Sequence, residues 1–167
     1  MSTLFAFFHH LCAFTLVSAL AIEFILVGQI QSDALSSPVA RRLVIADAVL
    51  GAAAGLLFVV GLCRVFFFEK GADYYFHSHA FTAKLSVFIV VAVLSVIPTL
   101  EFMAWRKALK AGQAPQVAPG KLRFIKKIIH GELAAVVIIL LCAAIMGAWR
   151  LGVIILSSSP RRRGPSA

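Results

Sequence analysis

Four stretches of the chain, about 4–28, 43–68, 81–105 and 128–149, are apolar at nearly every position. They lack the alternation of a half-buried strand and the one-sided stripe of a surface helix, and apolar runs of about 18 or more residues read as membrane spans. Each is long enough to cross a bilayer as a helix, because roughly 20 residues at 1.5 Å per residue match the hydrocarbon thickness. Backbone polar groups find no water there, so the spans are predicted to be helical. The expectation is an all-α integral membrane four-helix bundle over 1–156, followed by a disordered basic tail over 157–167. The first block is read as a retained helix, since its start lacks Lys or Arg and no clean small-residue cleavage site follows it.

Three connections separate the spans. Residues 29–42 form a polar turn with Pro38, Arg41 and Arg42, and EKGADYYFHSHA mixes charge with aromatic rings suited to a membrane interface. Residues 106–127 carry seven Lys and Arg side chains around a Gly/Pro-bearing centre. With four spans, the first and third connections share a side and hold nine basic residues, against five on the other. That bias predicts a bacterial cytoplasmic (inner) membrane protein with both termini periplasmic.

Composition agrees with lipid as the solvent: 61% of the 167 residues are hydrophobic, 14% are charged, and the mean hydropathy is +0.96. The net charge of +9 lies largely in membrane-flanking loops, where topology and anionic lipid account for it, so nucleic acid is not expected as a partner. The expected partners are the bilayer and another membrane protein or a second copy of the chain. Cys12, Cys63 and Cys142 lack CxxC spacing and read as small apolar fillers. Gly51 and Gly55, with three alanines between them, are expected to mark a helix contact.

The ionisable residues within the spans sort by depth. His9, His10, Arg64, Lys84 and Arg150 fall near the outer ends, and Glu23, Asp47, Glu101, His130 and Glu132 near the inner ends. Such groups are costly in hydrocarbon, about 2.5–3.5 kcal/mol at mid-helix on insertion scales, so they face the bundle or water and pair with one another. At about 100° per residue, His9 shares a face with Glu23 while His10 points away, Lys84 shares a face with Ser95, and His130 and Glu132 diverge. Pro98 is expected to kink the third helix.

Several segments carry a resemblance. HHLCAF with downstream Glu23, RRLVIADAVLG, GLCRVFFFEKGADYYFH, AKLSVF, SVIPTLEFMAWRKAL and HGELAAVVIILLCAAIM together resemble the bacterial predicted-membrane-protein family known as domain of unknown function 2214. The likeness runs from about the fourth residue to the start of the tail and implies a four-span protein without implying an activity. HSHAF departs from the family pattern, so His79 is not carried over from it. A looser likeness extends to CopD-like and HemJ-type four-helix membrane proteins, in which a histidine early in helix one and a lysine early in helix three accompany haem; His10 and Lys84 offer that pattern.

Three functions follow as expectations. The first is a non-enzymatic accessory or assembly factor. The second is a redox protein holding haem b through His9 or His10, with Arg64 and Lys84 near the propionates. The third is a small proton-coupled carrier using Glu23, Asp47 and Glu132. His77 and His79 form a weaker candidate metal pair without carboxylate or cysteine partners at suitable spacing. GxGxxG, a phosphate-binding loop, a nucleophile elbow and HExxH are all missing from the sequence, so no soluble-enzyme chemistry is indicated.

Overall fold

A helix that enters hydrocarbon satisfies its own backbone, and the described apolar segments use that solution. The computed structural model describes residues 2–30, 35–68 and 79–158. These form α1 (Ser2–Gly28), α2 (Ser37–Cys63) with a π-helical turn at Arg64–Phe68, α3 (His79–Lys110) and α4 (Pro119–Ser158). His77 and the tail after Ser158 lie outside the described residues, as do the side chains of His79 and Arg150. Three segments, Thr3–Gly28, Ser37–Phe67 and Phe81–Lys110, are long and apolar enough to span a membrane.

Among the described residues α1 packs on α2, α2 on α3, α3 on α4 and α4 back on α1, while the Cα atoms of diagonal helices stay more than 8 Å apart. The result is a closed ring of four helices, joined in up-and-down order by the short connections 29–36 and 111–118. Lys126 Nζ donates to the Ile30 carbonyl at 3.0 Å, which holds the first and third connections at one end.

The helices overrun the expected spans. α2 begins at Ser37 rather than 43 because Ser36, in extended conformation, precedes a proline in the first turn, a favoured helix start. The third connection shrinks from 106–127 to 111–118. α3 ends there in a Schellman turn: Gly112 takes a φ of 72°, Gln113 N–H bonds to Ala108 and Gly112 N–H to Leu109. α4 then starts at Pro119, whose missing N–H costs nothing at a first helical position. The basic residues before 128 read as a loop by charge, yet Leu122 and Ile125 among them are buried in helical register with Ile129. Lys121 and Arg123, on either flank of Leu122, are exposed.

Each helix contributes one seam to the interior at spacings of three and four, the pattern of knobs-into-holes packing. The seams run Leu16, Leu20, Glu23, Val27 and Ile30 on α1; Ala40, Leu43, Asp47 and Leu50 on α2; Pro98, Phe102 and Trp105 on α3; and Leu122, Ile125, Ile129, Glu132 and Val136 on α4. α3 stays helical through the buried Pro98. Packing is uneven along the bundle axis. Beyond Leu16, Ala53, Pro98 and Val136, away from the two short connections, the described side chains are half-buried or exposed apart from Val65. Large exposed apolar residues such as Phe14, Val93 and Leu100 form the surface that contacts lipid.

One expectation about packing is corrected. Gly51 and Gly55 point out of the bundle, and a Cβ at either would meet nothing within 4 Å. They sit one position off the α2 seam, so the small residues that allow close approach are Ala40, Ala46 and Ala53. At the loop end, Lys121 pairs with Glu101, which also accepts from Trp105 Nε1 at 3.4 Å. Lys121 is 55% exposed, so Lys121→Ala is expected to cost under about 1 kcal/mol, read as a small change in a thermal melt.

Candidate buried carboxyl site

Three of the seam positions are carboxylic acids where an apolar side chain would pack without penalty. Glu23 on α1 is 1% exposed, Asp47 on α2 7% and Glu132 on α4 2%. They come from three helices and act electrostatically on one another. The fourth helix supplies hydroxyls: Thr99 Oγ1 donates to Asp47 Oδ1 at 2.7 Å, and Ser95 Oγ donates to Glu132 Oε1 at 2.7 Å. Ser95 and Thr99 lie one turn apart around Pro98, so every helix of the ring adds to a single polar cluster.

The cluster is incompletely satisfied. Among the described residues neither oxygen of Glu23 accepts a hydrogen bond, and Glu132 Oε2 accepts none. Buried polar atoms are nearly always paired, so three orphaned carboxyl oxygens in one place need a reason. Arg106, near the end of α3, acts electrostatically on Asp47, while Arg41 and Arg42 are exposed. The cluster sits where the tightly packed half of the bundle, closed by Phe102 and Ile129, meets the loosely packed half.

Other candidate residues are placed differently. His130 is exposed, with Nδ1 2.6 Å from the Lys126 carbonyl oxygen and its ring 4.6 Å from that of Phe24, on the far side of α4 from Glu132. At the other end of the bundle His9 turns inward against Gly61 of α2, its Cε1 3.5 Å from where a Cβ there would stand. Arg64 and the half-buried Lys84 are electrostatic neighbours. His10 is exposed and holds its Nδ1 2.6 Å from the Ala6 carbonyl oxygen. The basic residues at this end therefore come from α1, the turn after α2, and α3, with His10 exposed. Among the described residues no group of three His, Cys, Asp or Glu side chains is arranged to hold a metal ion.

Sequence reasoning reached the three carboxyls and the inward face of Ser95, but not Thr99. The signal for Thr99 was its place one turn from Ser95, beside a proline that opens the helix backbone. Cys12 and Cys63 are free thiols of intermediate burial.

No curated protein and no solved structure matches the chain. The family model described as predicted membrane protein, DUF2214, matches residues 1–148, a stretch that holds all four carboxyl- and hydroxyl-bearing helix faces described above. The chain belongs to the DUF2214 family of predicted membrane proteins.

Proposed function

We propose that this protein is a small proton-coupled membrane carrier, in which Glu23, Asp47 and Glu132 hold the exchanged positive charge. The observation that carries this reading is the Glu23 carboxyl, buried beside two other carboxyls with neither oxygen hydrogen-bonded. A carboxyl kept only to fix helix packing would have its oxygens paired, as Asp47 has Thr99. Three ionised carboxylates buried together repel one another strongly at low dielectric, so the cluster has a use for protons or a cation. The charged groups that face it are the other two carboxyls in each case and Arg106 beside Asp47. The basic residues that flank 29–36 and 111–118 favour a cytoplasmic side for these loops, and in this reading the cluster lies nearer that side.

An accessory role predicts the same bundle without a reason for orphaned oxygens. The two separate in proteoliposomes loaded with a pH-sensitive dye and clamped with potassium and valinomycin. An imposed pH gradient is expected to collapse faster than in protein-free vesicles, with the increment reduced at least about tenfold in Glu23→Gln and Asp47→Asn. Vesicles as tight as empty ones, or an increment unchanged in both variants, would remove the carrier reading.

A further inference from the structure

The lipid-facing side of α3 and α4 carries a groove of about 460 Å³. Its walls include Val90 and Leu94 on α3 and Ile128 and Ala135 on α4, and Gly131 keeps the floor low, since a Cβ there would meet nothing within 4 Å. Glu132 borders the floor, but the residue is 2% exposed, its Oε1 accepts from Ser95 and its Oε2 is buried, so the carboxyl does not open onto the groove. The only charged side chain that the groove exposes is Lys127.

Lys127 stands one turn of α4 nearer the 111–118 connection than Gly131. The basic mouth therefore lies at the headgroup end, and the apolar trough runs from it about 12 Å along α4, the rise of the eight residues to Ala135. Lys121 pairs with Glu101 and Lys126 donates to the Ile30 carbonyl, whereas the Lys127 ammonium has no ion pair or hydrogen bond among the described residues.

Charge decides among the occupants of such a trough. A cation would meet Lys127. A second copy packed on the same face, across a twofold axis along the membrane normal, would bring two Lys127 ammoniums to one depth. An uncharged molecule would fill the walls and leave the ammonium unanswered. A phospholipid answers both features: its acyl chain touches walls on two sides, which a convex helix surface does not offer, and its phosphate reaches Lys127. A zwitterionic headgroup would return a positive charge to an end where Arg41, Arg42, Lys107, Lys110 and Arg123 are also exposed. Glu101, the one described carboxyl outside the buried cluster, is already paired there. An acidic headgroup brings only the negative charge.

We propose that the α3–α4 groove binds one acidic phospholipid from the leaflet on the side of the 29–36 and 111–118 connections, with its acyl chain in the trough and its phosphate on Lys127. The site is independent of the carrier reading, because it uses none of the three carboxyls.

Native mass spectrometry of the full chain in mild detergent, titrated with phosphatidylglycerol and with phosphatidylcholine of identical acyl chains, tests this. One phosphatidylglycerol is expected to bind at least about fivefold more tightly than one phosphatidylcholine, the preference that a single lysine near a membrane surface supplies. Lys127→Gln is expected to bring the two lipids within about twofold of each other. Lys110→Gln, exposed and basic at the same end but outside the groove, is expected to keep the preference. Gly131→Leu fills the trough and is expected to weaken both lipids about tenfold or more; leucine is the better helix former, so the bundle is expected to stay folded. Equal binding of the two lipids by the wild-type chain, equal losses in Lys110→Gln and Lys127→Gln, or lipid binding unchanged in Gly131→Leu overturns the site. A dimer that Gly131→Leu dissociates would assign the face to a second copy and overturn it as well.

Discussion

Glu23→Met is expected to make the protein more stable and to silence its proton exchange. Methionine nearly matches the volume of glutamate and adapts to irregular packing, so the seam between Leu20 and Val27 stays filled. What disappears is a carboxyl whose two oxygens have no hydrogen-bond partner and whose neighbours Asp47 and Glu132 carry the same charge when ionised. Replacing buried ionic groups with apolar ones of similar size often stabilises by about 1–4 kcal/mol. The expected gain is of that order, a rise of several degrees in a detergent melt followed by tryptophan fluorescence. Residues retained for activity commonly lower stability, and the paired outcome of higher melting temperature with lost exchange is the signature of such a residue. A lower melting temperature would instead mark Glu23 as packing glue and return the accessory role to first place.

Phe102→Ala carries the largest expected stability loss. Phe102 is fully buried on the α3 seam, and its ring packs 4.8 Å, centroid to centroid, from that of Trp105 at 58°. Truncating a buried phenylalanine costs about 3–5 kcal/mol, from lost contacts and the cavity left behind. In lipid the contact term dominates, because the acyl chains outside are as apolar as the core inside. The expected result is a melting point lower by roughly 10 °C. Phe14→Ala, 72% exposed to the acyl chains, is expected to change it by no more than a degree or two. Equal effects from the two substitutions would mean that the loop-end core does not hold the bundle together.

That contrast also marks how far the sequence can be read. In a soluble protein the polar and apolar sides of a helix announce which side is buried. Here apolar residues face both lipid and core, and hydropathy gives Phe14 and Phe102 the same weight. The spans were legible for the same reason that their orientations were not. Only residues that lipid rejects broke the degeneracy: Glu23, Asp47 and Glu132 are costly outside the bundle, Ser95 follows from sharing a face with Lys84, and Glu23, Asp47, Glu132 and Ser95 all lie in the cluster. Gly51 and Gly55 had no such penalty to orient them, and they meet no other helix of the chain. The start of α4 reads as a loop because four basic residues, Lys121, Arg123, Lys126 and Lys127, mask a buried stripe at helical spacing.

The sequence by itself determined that this is an all-helical membrane protein of the DUF2214 family with acids concentrated near one end of its bundle. It could do so because the hydrocarbon thickness and the cost of ionisable groups act on each segment separately. Tertiary structure alone decided that three helices aim their carboxyls at one another, that α3 answers with Ser95 and Thr99, and that Glu23 goes unanswered. It likewise opened a groove whose floor Glu132 shares. Those features depend on the rotation and register of four helices against one another, which close packing of the whole ring fixes and no single segment encodes.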